Sequence, residues 1–110
     1  TALGRNSLEF ATGNENIAIG PYSGNNITTG IRNIMIGYGI DAPVTAGSNQ
    51  LNIGNLIFGT GIDGENTTLS SGNIGIGITA PARKLHVSDV MRIEPRNTVP
   101  AGASMGDMYM

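Results

Sequence analysis

The sequence predicts an all-β fold in which short repeated units stack as a parallel β-roll or solenoid, followed by a C-terminal part of short strands. Composition is the first observation behind this prediction. Glycine accounts for 17 of the 110 residues, aromatic residues for 5% and charged residues for 13%. Large side chains for a globular core are therefore scarce, and turn-forming residues are common. The second observation is an internal repeat of 17 residues, which is typical of stacked-unit architectures.

The repeat follows one pattern in three segments, which span residues 10–20, 27–37 and 44–54. Each segment reads apolar-x-x-Gly-x-x-Asn/Gln-apolar-x-Ile-Gly. The last two apolar residues share one face of a strand, because side chains alternate along a strand. We expect these pairs to form the structural core of the repeats. The predicted core residues are Ile17, Ile19, Ile34, Ile36, Leu51 and Ile53, continued by Ile74 and Ile76 of a shortened unit.

The other repeated positions predict turns. The glycines recur with the same period, and we expect each corner to need a positive φ or a close approach of two backbones. The predicted turn glycines are Gly13, Gly20, Gly30, Gly37, Gly47 and Gly54. The Asn or Gln before each apolar pair can hydrogen-bond to turn backbone, and stacked copies can form ladders.

Two regions follow from the repeat. Residues 1–80 are predicted to hold the β-roll units, with an irregular coil over 55–68 where the period breaks. Residues 81–110 are predicted to contain short strands, over 85–87 and 90–94, and to lead into a further fibre domain of the same chain. The chain starts with Thr rather than Met, and we expect it to be part of a longer protein.

A single coil of this length encloses little volume. Two strand-like stretches per unit, such as 27–29 and 33–36, indicate a two-sided coil, and cores this small are marginal. We therefore expect oligomerisation around a long axis. Either the middle residues of the strands or some of the aliphatic residues would then pack against partner chains.

Two segments resemble known families. The recurring Asn-Ile-x-Ile-Gly with an upstream glycine, over roughly residues 1–54, resembles the repeats of trimeric autotransporter adhesin heads, although the period here is a few residues longer. Residues 72–88 read Gly-Asn-Ile-Gly-Ile-Gly-Ile-Thr-Ala-Pro with Lys-Leu-His-Val after it, and resemble a segment of bacteriophage tail fibres. Residues 99–110 resemble the start of a hairpin that follows there. Ile78 and Asp89 depart from that pattern. Together the resemblances imply a parallel β-roll in a homotrimeric fibre shaft.

Patterns for catalysis and metal binding are weak, so we expect no enzyme activity, no cofactor and no metal site. His86 is the only histidine and has no nucleophile motif beside it. Three copies could bring it to an axis and bind a metal, and a packed or solvated strand histidine is the alternative. Residues 59–66 contain one Gly-x-Gly-x-Asp turn, whereas calcium β-rolls need tandem copies. The eight acidic residues show no paired motif of the glycosidase kind.

The sequence supports two functional hypotheses. The first is a structural segment of a trimeric phage tail fibre or tailspike in the virion, which presents a host-receptor-binding region. The second is a head or stalk segment of a trimeric adhesin on the bacterial cell surface, which binds a host glycan or protein. Tyr22, Tyr38 and Tyr109 could stack on sugars, with a structural role at a corner as the alternative. A net charge of −2 argues against nucleic acid, and no apolar run reaches the length of a membrane span.

Overall fold

The computed structural model describes residues 1–93 and residue 102 of the chain. These residues form one open sheet whose strands follow chain order. The strands are β1 (Ala2–Leu3), β2 (Ile17–Ile19), β3 (Ile34–Ile36), β4 (Leu51–Ile53), β5 (Ile57–Gly59), β6 (Ile74–Ile76) and β7 (Leu85–Val87). The all-β prediction is confirmed for the described residues. Within them, no helix is long and apolar enough to cross a membrane.

The parallel pairing of β2, β3 and β4 follows the period of the repeat. Ile17 pairs with Ile34, which pairs with Leu51, so each step across this part of the sheet equals one unit of 17 residues. The turns keep the same offset, since the N–H of Thr28 donates to the carbonyl oxygen of Thr45 at 3.0 Å. Successive units are therefore joined by backbone hydrogen bonds along their turns as well as along their strands.

The side of each unit opposite the sheet is irregular. Residues 27–29, predicted as a second strand-like stretch, form no strand. Isolated hydrogen bonds link the stacked units there, such as the bond from the N–H of Thr12 to the carbonyl oxygen of Thr28 at 2.8 Å. Each unit therefore contributes one strand to a sheet, and the rest of its coil consists of turns.

The sheet reverses direction after β4. Residues 54–56 connect β4 to β5, which pairs antiparallel to it, and Asn55 takes a φ of 54°. The side chain of Asn52 supports this turn. Its Nδ2 donates to Asn55 Oδ1 and to the carbonyl oxygen of Asp41, both at 2.8 Å, and its Oδ1 accepts from the N–H of Asn55 at 3.0 Å. A buried amide thus holds the end of the parallel stack.

The reversal changes the predicted organisation of the second half of the chain. The irregular coil predicted over 55–68 contains a strand at residues 57–59, because the tight turn lets the chain pair back onto β4. β6 pairs antiparallel to β5, and β7 then pairs parallel to β6, with Ile74 opposite Leu85. The strand predicted over 85–87 is present as β7.

The last described residues do not extend the sheet. Residues 90–93 form no strand, although their alternating pattern predicts one. Val90 is 88% exposed, so no strand among the described residues covers its side chain. The remainder of that predicted strand, Glu94, lies outside the described residues, as do Tyr109 and most of the hairpin predicted from residue 99.

The interior of the stacked units is lined by the middle residues of the strands. The buried apolar cluster comprises the middle residues Ala18 of β2 and Met35 of β3, together with Ile27, Ile40 and Ala42 from the turns of the coils. The predicted core columns lie on the other face of the sheet, where Ile17 and Ile19 are 37% and 40% exposed. Within one chain those columns are therefore not the interior. A coil of 17 residues leaves room for one inward side chain per strand, and the two flanking residues must then point outward.

A column of buried amides accompanies this apolar cluster. The Oδ1 atom of Asn16 accepts from the N–H of Asn33 at 3.0 Å, and the Oδ1 atom of Asn33 accepts from the N–H of Gln50 at 2.9 Å. The Nδ2 atoms of the two asparagines donate to the carbonyl oxygens of Gly30 and Gly47, at 2.8 and 2.9 Å respectively. We call these three side chains the amide ladder. It joins each unit to the next where the chain enters the strand.

The turn glycines have two different geometries. Gly20 and Gly37 follow strands with φ values of 120° and 130°, a region that side chains rarely adopt. Gly13 and Gly30 have ordinary φ values, but a Cβ on either would collide with a carbonyl oxygen of the next unit, that of Gly30 or of Gly47. Close stacking of backbones thus accounts for Gly13 and Gly30, while Gly20 combines a positive φ with a close approach to the carbonyl oxygen of Gly37.

Candidate interaction surface

The outer face of the sheet carries two columns of aliphatic side chains. Strand register places them in line across the sheet. The first column consists of Leu3, Ile19, Ile36, Ile53, Ile57, Ile76 and Val87. The second consists of Ile17, Ile34, Leu51, Ile74 and Leu85. We call these twelve side chains the aliphatic sheet face; it extends over all seven strands.

The aliphatic sheet face is largely uncovered by the described chain. Its members range from half-buried to clearly exposed, and Leu3 and Leu85 at its two ends are 65% and 59% exposed. None of its side chains is charged or polar. A continuous apolar surface of this kind is a candidate interaction site, and the absence of charge is typical of the centre of an interface.

A loop lies against the second column at β5. Gly59 occupies the column position between Leu51 and Ile74, and a Cβ there would lie 3.3 Å from Cγ2 of Ile62. Glycine at this position therefore lets Ile62 pack over the sheet. Residues 60–72, which we call the 60–72 loop, leave the sheet at this point and return to it at β6.

Hydrogen bonds hold the 60–72 loop in one shape. Asp63 accepts from the N–H and the hydroxyl of Ser71 at 2.7 and 2.6 Å, and the N–H of Gly64 donates to Ser70 Oγ at 3.0 Å. The hydroxyl bond from Ser71, followed by its amide bond, holds the pKa of Asp63 below its ordinary value. Lys84 Nζ donates to the carbonyl oxygens of Ser71 and Gly72 at 2.6 and 2.8 Å, which ties the loop to the segment before β7.

An ion-pair cluster links the loop to the first repeats. Arg32 pairs with Glu15 at 2.7 Å and with Glu65 at 3.0 Å. The hydrogen bond and the charge of Glu15, followed by the charge of Glu65, raise the pKa of Arg32 above its ordinary value. All three side chains are exposed, so this cluster orients the loop and contributes little stability.

Two grooves flank the loop on the outer face. The first, of about 210 Å³, has Ile17, Ile34 and Ile62 among its lining residues, with charged side chains that include Glu15 and Arg32. We call it the charged groove. The second, of about 320 Å³, is lined by Ile62, Leu69, Ile74, Thr60 and Lys84 among others. We call it the Leu69 groove. Both contain members of the aliphatic sheet face, so the loop forms a ridge between one groove with a partly charged lining and one with a mainly apolar lining.

Tyr22 and Tyr38 lie at corners of the stacked units. The rings of Tyr22 and Tyr38 meet edge to face with centroids 6.1 Å apart, and Cζ of Arg5 lies 5.0 Å from the centroid of the Tyr22 ring. Tyr38 is 77% exposed. The Tyr22 ring is thus engaged between two neighbours, as a corner residue would be, while the Tyr38 ring leaves much of its surface open.

The residues considered for chemistry are engaged in structural contacts. Nδ1 of His86 accepts from the N–H of Ala82 at 3.2 Å. Both carboxylate oxygens of Asp63 accept hydrogen bonds from Ser71. Among the described residues no group of three His, Cys, Asp or Glu side chains is placed to hold a metal ion. The outer sheet face, which sequence reasoning assigned to the core, is instead the most extensive candidate site.

Comparisons of the chain with family models, with curated proteins and with solved structures found no match. The likeness to phage fibres and to adhesin heads therefore rests on the sequence motifs given above.

Proposed function

We propose that this chain is a structural segment of an elongated homotrimeric fibre, of the phage tail fibre or tailspike kind. Its units stack as a β-roll or solenoid, and the aliphatic sheet face packs against two other copies around a common axis. The segment gives the fibre length and stiffness, and presents a host-receptor-binding region carried elsewhere in the chain. The observation that carries this proposal is the uncovered aliphatic sheet face, continuous over seven strands.

The stacking of the units supports a mechanical role. Each interface between neighbouring repeats is crossed by strand pairing, by hydrogen bonds between turns and by the amide ladder. Repeats that contact only their neighbours make an extended, quasi-one-dimensional object. Backbone groups that are paired in the sheet also resist local opening, and a protease needs local opening to cleave.

The exposed columns support self-association. Complete burial of one aliphatic side chain contributes about 1.5–3 kcal/mol, while association costs on the order of 4–15 kcal/mol. Several members of the aliphatic sheet face must therefore be covered at once, which a strip running along the stacking direction permits. When three copies close around an axis parallel to that direction, each strip contacts both of its neighbours and no copy is left with an uncovered face.

A segment of a bacterial trimeric surface adhesin is the second candidate. The open surface of Tyr38 beside Tyr22 favours it, because exposed aromatic rings are common at recognition sites. In that case the surface of the stacked units would itself hold a host glycan or protein. Binding of the chain to a glycan panel, lost in Tyr38→Ala, is the result expected of an adhesin and not of a shaft.

Solution mass tests the fibre proposal directly. We expect light scattering to give about 34 kDa, which is three chains of 11.4 kDa, and to give the same mass after tenfold dilution. A well-folded particle of 11.4 kDa at every concentration would show that the aliphatic sheet face is not a contact between copies, and would overturn the proposal.

A further inference from the structure

Leu69 is a large apolar side chain that the described residues leave almost fully exposed. It is 90% exposed, yet the 60–72 loop around it is held by Asp63, Ser70, Ser71 and Lys84. An apolar side chain that stays in water does not stabilise the isolated chain through the hydrophobic effect. A partner that covers Leu69 would gain this stabilisation by removing the side chain from water.

The Leu69 groove is suited to an apolar side chain. Its volume of about 320 Å³ and its aliphatic residues Ile62 and Ile74 offer space and apolar contact. Lys84 is the charged residue in its lining, and its ammonium already donates to two carbonyl oxygens of the loop. An apolar occupant therefore leaves these hydrogen bonds of the ammonium in place, so that no donor of Lys84 loses its partner on binding.

The charged groove is a poorer site for the same side chain. Asp63, Glu65, Glu15 and Arg32 all line it, and a leucine placed there would take water from the ion pairs of Arg32. Removing that water carries a cost that exposed ion pairs do not recover. The Leu69 groove is therefore the better site for a leucine side chain.

We infer that Leu69 of each copy enters the Leu69 groove of the next copy in the trimer. The inference rests on the proposed function, because it assumes three copies around an axis parallel to the stacking direction. Leu69 itself lines the groove, so the side chain and the groove lie at one height along that axis. A three-fold rotation keeps this height and places the leucine of one copy level with the groove of its neighbour. Three such contacts close into a ring.

Substitution of Leu69 tests the contact without disturbing the protomer. Leu69→Ala removes a side chain that is exposed in the single chain, and Val90→Ala is the matched control because Val90 is 88% exposed and lies outside the sheet. The trimer–monomer equilibrium of the 110-residue chain is measured by sedimentation, with circular dichroism to verify that each variant is folded. We expect Leu69→Ala to raise the concentration of half-dissociation by about tenfold or more, and Val90→Ala to leave it unchanged.

The outcomes separate this inference from the proposed function. A wild-type trimer whose dissociation responds equally to the two substitutions would overturn the Leu69 contact, leave the groove to a different partner, and leave the fibre proposal standing. A wild-type monomer at all concentrations would overturn both. A wild-type trimer that is weakened by Leu69→Ala alone supports both.

Discussion

At the scale of single residues, polar side chains are as much a part of the interior as apolar ones. Asn16, Asn33, Gln50 and Asn52 are all buried, and each makes at least one hydrogen bond to a neighbouring unit or turn. Buried amides whose bonds are all satisfied cost little, whereas removal of one leaves its partners unpaired. The amide ladder therefore fixes the register between neighbouring units, besides filling space.

Asn33→Ala tests this role. The change removes the acceptor of the N–H of Gln50 and the donor to the carbonyl oxygen of Gly47, and an unpaired buried group costs about 1–3 kcal/mol. We expect the free energy of unfolding to fall by about 2–4 kcal/mol in denaturant titrations at a fixed protein concentration. Asn14→Ala is the control, since Asn14 is exposed, and its effect should stay within about 0.5 kcal/mol. Equal effects of the two changes would contradict the ladder.

Gly30→Ala tests the close stacking of backbones. A Cβ at this position would collide with the carbonyl oxygen of Gly47, so the two units must move apart and strain the strands beside them. We expect a loss of about 2–3 kcal/mol in the free energy of unfolding. Gly39→Asn is the contrasting variant, because Gly39 has a φ of 57° and open space around it, and asparagine tolerates that region. Its loss should stay below about 1 kcal/mol.

At the scale of elements, the carboxylate of Asp63 is one of the groups that hold the 60–72 loop in its shape. The folded-state pKa of Asp63 is lowered, so its contribution to stability is present above the unfolded-state pKa of about 3.9. It is lost as the pH falls through the lower folded-state value. We expect Asp63→Ala to be less stable than the wild type near neutral pH, and the difference to shrink below about pH 4. Thermal unfolding of both proteins across this pH range measures it.

The serine partner provides a control for that prediction. Ser71→Ala removes the hydroxyl that donates to Asp63 at 2.6 Å and keeps the backbone bond. This variant should reproduce part of the loss caused by Asp63→Ala. Adding it to Asp63→Ala should produce little further loss, because the two groups act through one contact. A difference between Asp63→Ala and wild type that stays constant down to pH 2 would show that the carboxylate charge is not involved.

The predictability of the elements differed between the two halves of the chain. The three parallel strands β2, β3 and β4 follow from the repeat, because a constant offset predicts a constant register. β5 was not predictable from the repeat. Its reversal depends on the local bonds between Asn52 and Asn55, which a period cannot reveal. The N–H of Leu56 bonding back to Ile53 at 3.0 Å belongs to the same turn.

Which face of the sheet lies inside was also beyond the sequence pattern. β2 and β3 read Ile-Ala-Ile and Ile-Met-Ile, so both faces are apolar and alternation carries no information on direction. The volume enclosed by one coil decides which face lies inside, because the coil has room for a single inward side chain per strand. Asn52 in β4 is polar and yet buried. Hydropathy alone would therefore assign it to the outer face, which is wrong. The sequence therefore predicted these aliphatic residues as the core of the repeats, whereas in the single chain they lie on the outer face of the sheet.

At the scale of the whole molecule, the aliphatic sheet face should govern the state of assembly. Ile19→Asp combined with Ile53→Asp places two carboxylates on the face at positions that are 40% and 36% exposed. Each charge remains hydrated in a single chain, but it would be buried without a partner between copies, which costs several kcal/mol per ion. We expect the double variant to be a folded particle of 11.4 kDa by light scattering, under conditions where the wild type is three times as heavy.

A matched double variant shows whether the effect depends on where the two charges are placed or only on the added charge. Thr29→Asp combined with Thr79→Asp adds the same charge at exposed sites outside the sheet, and should leave the trimer intact. Because the proposed contact is apolar, the wild-type mass should also be the same in low and high salt, whereas an assembly held by surface charges would dissociate as salt screens them. Dissociation of both double variants, or of the wild type in high salt, would place the contact on charged surfaces and away from the aliphatic sheet face.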